Sequence, residues 1–536
     1  MVRVDGMVET LSQQAQELWR FLQQEIFSQG LTASAAWNWL AELFAKGMSF
    51  TSLAFLIFFP LCVFAYYLIP RAAKNLWLLV CSIFFYWFAA YSGSTAHPQA
   101  LAVLLALILI TWLVGLALGR APRRSLLALG IAANLGVLVY VKYTGFFASL
   151  INGWTGWSLS GTTVLNPVWM VGLSFYTLTA SGYLIDVYRK TCAAEKNPAR
   201  CALMISFFPQ IVSGPIGRSS LLSQMEKPHP YNQKQVSEGL RQMLWGYFKK
   251  LVISENAAAI LGPAFLRPEQ YNGFQLAFSA LLYAVQLYAD FSGYSDIALG
   301  AARCLGFQLP DNFRRPYGAR SIGEFWDRWH ISLSSWFKDY LYIPLGGSRR
   351  GVFRTCLNTL IVFLASGLWH GAGLTFLVWG LLHGLYNIIG RLTKPLRMTV
   401  NRATRLVKVP SLHHFFQRLI TLAMVSFAWI FFRASSLEVA SSFLSRMQLD
   451  FWSTLFNTQA LIRALEGLDF FANHGPVLLG AILFLFVAEA LEGHTRLAVW
   501  VGRWPFILRW AGYYLLLLTI LFFGAFDATP FIYGQF

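Results

Sequence analysis

The chain has 536 residues, of which 56% are hydrophobic and only 12% charged, while Phe, Trp and Tyr together reach 16%. Soluble chains carry about 25% charged residues, so a string of soluble domains is excluded and one polytopic membrane domain is indicated. The net charge of +18 is spread over short loops between apolar runs. A nucleic-acid binder gathers its basic residues on a solvated domain, so the partner expected here is the lipid bilayer and no nucleic acid.

Residues 1–48 stand apart. Val8, Leu11, Ala15, Leu18, Leu22 and Ile26 recur at helical spacing among Gln and Glu, giving one apolar stripe. A second helix is predicted from about Ala33 to Lys46, stopped by Gly47. Five acids against three bases leave this stretch at −2, opposite in sign to the rest. It reads as an amphipathic extension to a membrane domain at 49–536, either packed on the first span or lying on the outer surface as a dock. Being polar ahead of the first apolar run, it does not have the pattern of a cleavable signal peptide.

A membrane-crossing helix needs roughly 20 apolar residues. Spans are predicted at 50–68, 76–91, 100–118, 125–141, 168–187, 273–300, 373–391, 414–433, 476–492 and 506–526. Segments 241–262 and 355–370 are shorter or more polar, and read as further spans or as half-helices. The fold class is therefore all-α, a transmembrane bundle of about 11–12 spans or half-spans with re-entrant segments forming a tunnel. Arg71 and Lys74, then Arg120, Arg123 and Arg124, then Arg189, Lys190, Lys196 and Arg200 follow alternate spans, whereas loops 92–99 and 144–167 carry no Lys or Arg. Segment 391–413 holds six basic residues and no acid. By the positive-inside rule, loops 69–75, 119–124, 188–240 and 391–413 face the cytoplasm, and both termini lie outside it.

Within this frame, "FFPQIVSGPIGR" (207–218) has two prolines and two glycines in an apolar setting and predicts a re-entrant loop. Residues 303–354 mix charges with Trp, Tyr and Phe, and read as a buried, partly re-entrant funnel on the cytoplasmic side. Asp290 and Asp296 fall within a spanning run, where carboxylates are functional suspects, although pairing with nearby arginines accounts for them equally well. Asn312, Arg314, Arg315 and Arg320 form a cluster that serves either as positive-inside anchoring or as a grip on a phosphate-bearing donor.

Two histidines matter most. His370 is the one ionisable side chain between Phe363 and Gly380. At membrane depth such a group normally faces a bundle interior or a cavity, and an imidazole can take and return a proton near neutral pH. Gly367, Gly371 and Gly373 leave room for a substrate or another helix. The alternative is a core histidine satisfied by a backbone carbonyl. His330 sits among Trp326, Trp329 and Trp336, which suits an interfacial helix as well as a site. No metal is expected: His370 and His383 are thirteen residues apart, about 220° around a helix at about 100° per residue. The six cysteines show no CxxC pair and read as buried thiols. The signatures of serine hydrolases, P-loops, dinucleotide folds and zinc proteases are missing.

Taken together, "FFPQIVSGPIGR", "DFSGYSDIALGAARCLGF", "NFRRPY", "EFWDRWHISLSSWFKDYLYIPLGGSRRG" and "GLWHGAGLTFLVWGLLHG" resemble, in order and spacing, the membrane-bound O-acyltransferase family. The likeness is greatest to its bacterial polysaccharide O-acetyltransferase branch, and it covers about residues 50–530. The resemblance implies an O-acyltransferase in a bacterial inner membrane, with His370 as active histidine and His330 as the second histidine of a tunnel. It implies acetyl-CoA or an acyl-carrier thioester as donor, and a hydroxyl on a sugar or partner protein as acceptor. Periplasmic or membrane-anchored acetylation partners and an exopolysaccharide product follow from the same branch. Trp329, Trp369, Asn312, Arg314, Arg315, Arg328, Asp290, Tyr294 and Gln210 are the expected donor- or tunnel-lining residues. D-alanyl transfer to teichoic acid is the alternative within the family, and a transporter or scaffold role in polysaccharide secretion the alternative outside it.

Overall fold

The structure, a computed structural model, describes residues 33–91, 95, 97–160, 170–404, 408–492 and 497–526. Among them the regular elements are helices, and the chain is an all-α polytopic membrane protein. Each of the twelve segments predicted to span or half-span carries helix. The predicted stripe Val8–Ile26 and the tail from 527 onward lie outside the described residues. The second N-terminal helix does form, as Ala33–Ala45, with the chain turning at Gly47 (φ +94°). Its Phe44 packs on Phe84 and Phe88 of the helix Lys74–Ala89, at ring separations of 5.4 and 5.3 Å.

Six helices among the described residues are long and apolar enough to cross a membrane: Arg71–Ala89, Pro98–Arg120, Arg124–Thr155, Gly351–His370, Pro410–Arg433 and Phe506–Phe523. Leu53–Leu68 and Gly475–Leu491 are apolar but shorter. Two other predicted spans differ for a physical reason. Leu173–Tyr188 and Gly273–Cys304 are buried along most of their length, so they meet protein at most positions and can carry polar groups where a lipid-facing helix cannot. At the opposite extreme, Phe506–Phe523 leaves Leu508, Leu515, Leu518 and Phe522 exposed, as a lipid-facing helix would.

Two local features position the site. The helix Gln233–Tyr247 lies backbone to backbone against Gly273–Cys304: a Cβ on Gly246 would meet the Gly293 carbonyl at 2.6 Å, and one on Gly300 the Gly239 carbonyl at 2.5 Å. Small residues allow this approach in membrane bundles. Directly after it the chain widens into a π-helical turn, Phe248–Ser254, before resuming as Glu255–Leu266. The predicted half-helix at 241–262 is thus one helix interrupted by a bulge, a form that recurs at functional sites.

The second feature is a boundary. The predicted span 125–141 continues as helix to Thr155, so Lys142 belongs to the helix and not to the edge of a loop. The funnel predicted at 303–354 is built of short helices, Ile322–Trp326 and Ile331–Phe337, with a π-turn Lys338–Tyr342. It is buried at Asn312, Phe325, Trp329, His330, Ser332 and Trp336.

Candidate active site

His370 is the last residue of the helix Gly351–His370. The chain then turns through Gly371–Gly373 and returns as Leu374–Leu392. The room left by the glycines is taken by that returning helix: a Cβ on Gly367 would lie 2.4 Å from the Phe376 carbonyl, and one on Gly371 would overlap the Phe376 ring. The imidazole is buried among Trp369, Trp379 and Phe432, at ring separations of 4.9, 4.8 and 5.5 Å. Its Nδ1 is 2.6 Å from the Ser366 carbonyl oxygen. A carbonyl can only accept, so Nδ1 carries the hydrogen and the lone pair of the neutral ring sits on Nε2. The backbone-satisfied histidine weighed from sequence is therefore present, and the same bond makes Nε2 the basic nitrogen.

His330 reaches the same condition by other means. It stands in the left-handed region (φ 43°) at the start of Ile331–Phe337, and its Nδ1 is 3.2 Å from Asn312 Oδ1. The same oxygen accepts from the Ser332 hydroxyl at 2.7 Å and the Ser332 N–H at 3.3 Å. A backbone N–H is only a donor, which assigns that atom as the amide oxygen and so makes His330 Nδ1 a donor too. Asn312 Nδ2 donates to Ser295 Oγ at 3.2 Å, tying the network to the helix Gly273–Cys304. Phe291 of that helix packs edge-on at 4.6 Å from the His330 ring. Trp369 lies between the two histidines, 6.0 Å from the His330 ring and 4.9 Å from the His370 ring, and its indole N–H donates to the Ser174 carbonyl at 3.3 Å.

Beside this network is a cavity of about 390 Å³, lined in part by Asn312, Arg314, Arg315, Ser295, Lys249 and Glu489. That is within the usual size range of small-molecule sites, about 300–1,000 Å³. Arg315, itself left-handed (φ 49°), donates to the Glu489 carbonyl at 3.2 Å and borders a second cavity holding Arg320, Arg328 and Arg418. The arginines are not one cluster. Arg314 is 68% exposed and 3.5 Å from Asp311, whereas Arg320 and Arg328 both pair with Glu324. Burial works against the Glu324 charge, but the Arg320 N–H and the two guanidiniums hold its carboxyl below the usual carboxylate range.

The other predicted lining residues fall elsewhere. Trp329 is core, packed on Phe313 and Trp429 at 5.0 and 5.1 Å. Gln210 is buried in the 207–218 loop and donates to the Met204 carbonyl at 2.6 Å. Asp290 and Tyr294 face away from the cavity. Asp290 pairs with Lys250 at 2.6 Å, Lys250 also pairs with Glu255, and its amine lies 5.3 Å from the Tyr294 ring. The carboxylates thus pair with lysines and not with arginines, because the π-turn delivers Lys249 and Lys250 in succession onto this helix. Lys249 takes Asp296 and the Ser292 hydroxyl, the latter at 2.9 Å.

Sequence reasoning missed Lys142, Lys249, Lys250 and Ser332; the signal for the lysines was a basic residue inside an apolar run. The helical-wheel argument about His370 and His383 assumed one continuous helix, and the turn at Gly371–Gly373 removes that premise. Trp379 in fact lies 4.8 Å from the His370 ring and 5.2 Å from His383. The His383 Nδ1 accepts from the Trp326 indole N–H at 3.2 Å. Among the described residues no group of three or more His, Cys, Asp or Glu could hold a metal.

Comparison with known proteins bears on this constellation. Residues 197–436 match the model of the membrane-bound O-acyltransferase family, a stretch that holds both histidines and the whole funnel. A probable alginate O-acetylase of Pseudomonas putida is 35% identical over 408 residues, covering 75% of this chain and 80% of the relative. A peptidoglycan O-acetyltransferase of Helicobacter pylori is 35% identical over 433 residues, covering 74% and 79%. A teichoic acid D-alanyltransferase of Streptococcus thermophilus is 27% identical over 260 residues, covering 46% and 62%. With buried paired imidazoles in a helical membrane bundle and relatives of this closeness, the chain belongs to the membrane-bound O-acyltransferase family and is an O-acyltransferase.

Proposed function

We propose that this chain moves an acetyl group from a cytoplasmic thioester, acetyl-CoA or an acylated carrier, to a hydroxyl presented from the other side of the membrane. The setting is exopolysaccharide O-acetylation in a bacterial inner membrane, with periplasmic or membrane-anchored partners that complete transfer to the sugar. Alternating loop charge supports an orientation with loops 69–75, 119–124, 188–240 and 391–413 inside. The donor then enters beside Arg314 and Arg315 and reaches Asn312, the partner of His330, through the 390 Å³ cavity.

His370 Nε2 takes the proton of the acceptor hydroxyl as its oxygen attacks the thioester carbonyl carbon. The tetrahedral intermediate collapses, the C–S bond breaks, and the imidazolium returns its proton to the departing thiolate. His330, held by Asn312, orients the thioester or relays that proton. The observation that carries this reading is the pair of buried imidazoles flanking Trp369, each with its Nδ1 hydrogen committed to an oxygen and its lone pair on Nε2.

His370→Ala in a cell that makes the polymer tests it: export should persist and the product should lack acetyl groups, a loss of about 10²–10⁴-fold for a missing general base. Acetylation that continued would remove His370 from the chemistry. The relationship to a teichoic acid D-alanyltransferase favours one second reading, D-alanyl transfer. Labelled acetyl and D-alanyl donors offered to the purified chain separate the two.

A further inference from the structure

We infer that Lys142 is a positioning residue for acyl transfer, one that holds the carboxyl end of the helix whose last residue is His370. The inference rests on the acyl-transfer reading above. Helix ends leave their last four carbonyls without partners inside the helix. Here the chain leaves in extended form at Gly371, whose N–H returns only to the Gly367 carbonyl, at 3.3 Å. The remaining three are taken by two consecutive residues of the helix Arg124–Thr155. Lys142 Nζ donates to the Trp369 carbonyl at 2.9 Å and to the His370 carbonyl at 3.0 Å, and the Tyr143 hydroxyl donates to the Leu368 carbonyl.

An ammonium inside a membrane-crossing helix is costly and marks function by default. Lys142 lies eighteen residues beyond Arg124 (142 − 124), about 27 Å along the helix at about 1.5 Å per residue. It is thus far from the basic cytoplasmic loops that fix orientation. What offsets its cost is the carboxyl end of a helix dipole, where a cation is favoured, together with two carbonyl acceptors. The consequence for His370 is direct. Its Nδ1 bonds Ser366 one turn back, so the position of Nε2 depends on the last turn staying wound. Without the clamp, the Leu368, Trp369 and His370 carbonyls lose these donors and that turn frays. Lys142 and Tyr143 also lie outside residues 197–436, the stretch that matches the family model.

The test uses the purified full chain with acetyl-CoA as donor probe and a soluble sugar oligomer as hydroxyl acceptor, measuring thiol release alongside thermal unfolding. Wild type should release thiol and His370→Ala should not; a wild type that released none from acetyl-CoA, nor from an acylated carrier offered in its place, would overturn the acyl-transfer reading and this inference with it. Lys142→Met should lower kcat by about 10- to 100-fold, as small misplacements do. The KM for acetyl-CoA should change less than about twofold, and the unfolding midpoint should stay within a few degrees. Lys142→Arg, which can still donate to both carbonyls, should recover most of kcat. Full kcat in Lys142→Met, or equal losses in the Met and Arg variants, would overturn the inference while leaving His370 in place. If Lys142→Met does not accumulate, Tyr143→Phe decides: it should lower kcat by about threefold, and unchanged kcat would count against the clamp.

Discussion

The helix Gly273–Cys304 buries polar groups on two faces, and it does so in opposite ways. On one, Asp290 is wholly buried and paired with Lys250, which also takes Glu255, with Tyr294 against the same amine. On the other, Ser295 and Phe291 meet a network of neutral groups, Asn312, Ser332 and His330. Opposed charges at close range fix a structure, but they leave no group that can change its protonation cheaply. A chain of neutral donors and acceptors keeps an imidazole lone pair available for chemistry. The first face therefore anchors helix to helix, and the second ties a buried imidazole, through Asn312 and Ser295, to the wall of the cavity.

Breaking the charged face should produce the largest effect. Lys250→Met removes the ammonium that pairs with two buried carboxylates, and removing one partner of a buried pair costs about 3–5 kcal/mol. The unfolding midpoint of the purified chain should fall sharply, and Lys250→Met/Asp290→Asn should regain part of the loss. Activity per folded molecule should change far less than stability. An unaltered midpoint in Lys250→Met would mean that the ion pair does not hold these helices together.

Asn312→Ala attacks the other face and should show the reverse pattern. It removes the acceptor that fixes which His330 nitrogen carries the hydrogen, and the donor that reaches Ser295. With His330 positioning or relaying, kcat should fall by about 10²-fold, the lower end of what a positioned acid or base contributes. The stability cost should be about 1–3 kcal/mol for each donor left stranded among the His330 Nδ1–H and the Ser332 N–H and O–H. If Asn312→Ala lost stability and kept kcat, the two faces would not differ in the way argued here.

How far the sequence reached follows the same division. Spans and the buried, lone imidazole of His370 were legible because apolar length and a lone ionisable residue are local properties. The second N-terminal helix was legible from its Gly47 stop. The partners of Asp290 were not, because a π-turn shifts the register in a way that 3.6-residue periodicity does not encode, so two lysines arrived where arginines were expected. Arg314, Arg315 and Arg320 looked like one cluster in the chain, yet a left-handed turn at Arg315 sends them to Asp311, the Glu489 carbonyl and Glu324 in turn. Asn312 was picked out as donor-lining; its role as the acceptor for His330 depends on Ser332, twenty residues on, folding back over it.

Ser332 allows the finest cut. Its hydroxyl donates to Asn312 Oδ1 at 2.7 Å and accepts from the Ile216 N–H at 3.1 Å, so one oxygen joins the 207–218 loop to the histidine network. Ser332→Ala removes both bonds. Asn312 nevertheless keeps the Ser332 backbone N–H and its own bond to Ser295, so its amide stays oriented and His330 keeps its Nδ1 hydrogen. The expected loss is that of one ordinary hydrogen bond, about 1 kcal/mol or about fivefold in kcat, with a stability change of similar size from the stranded Ile216 N–H. A loss as large as that of Asn312→Ala would show that the amide is oriented by the hydroxyl and not by the backbone. In that case the neutral face depends on the 207–218 loop as strictly as the charged face depends on Lys250.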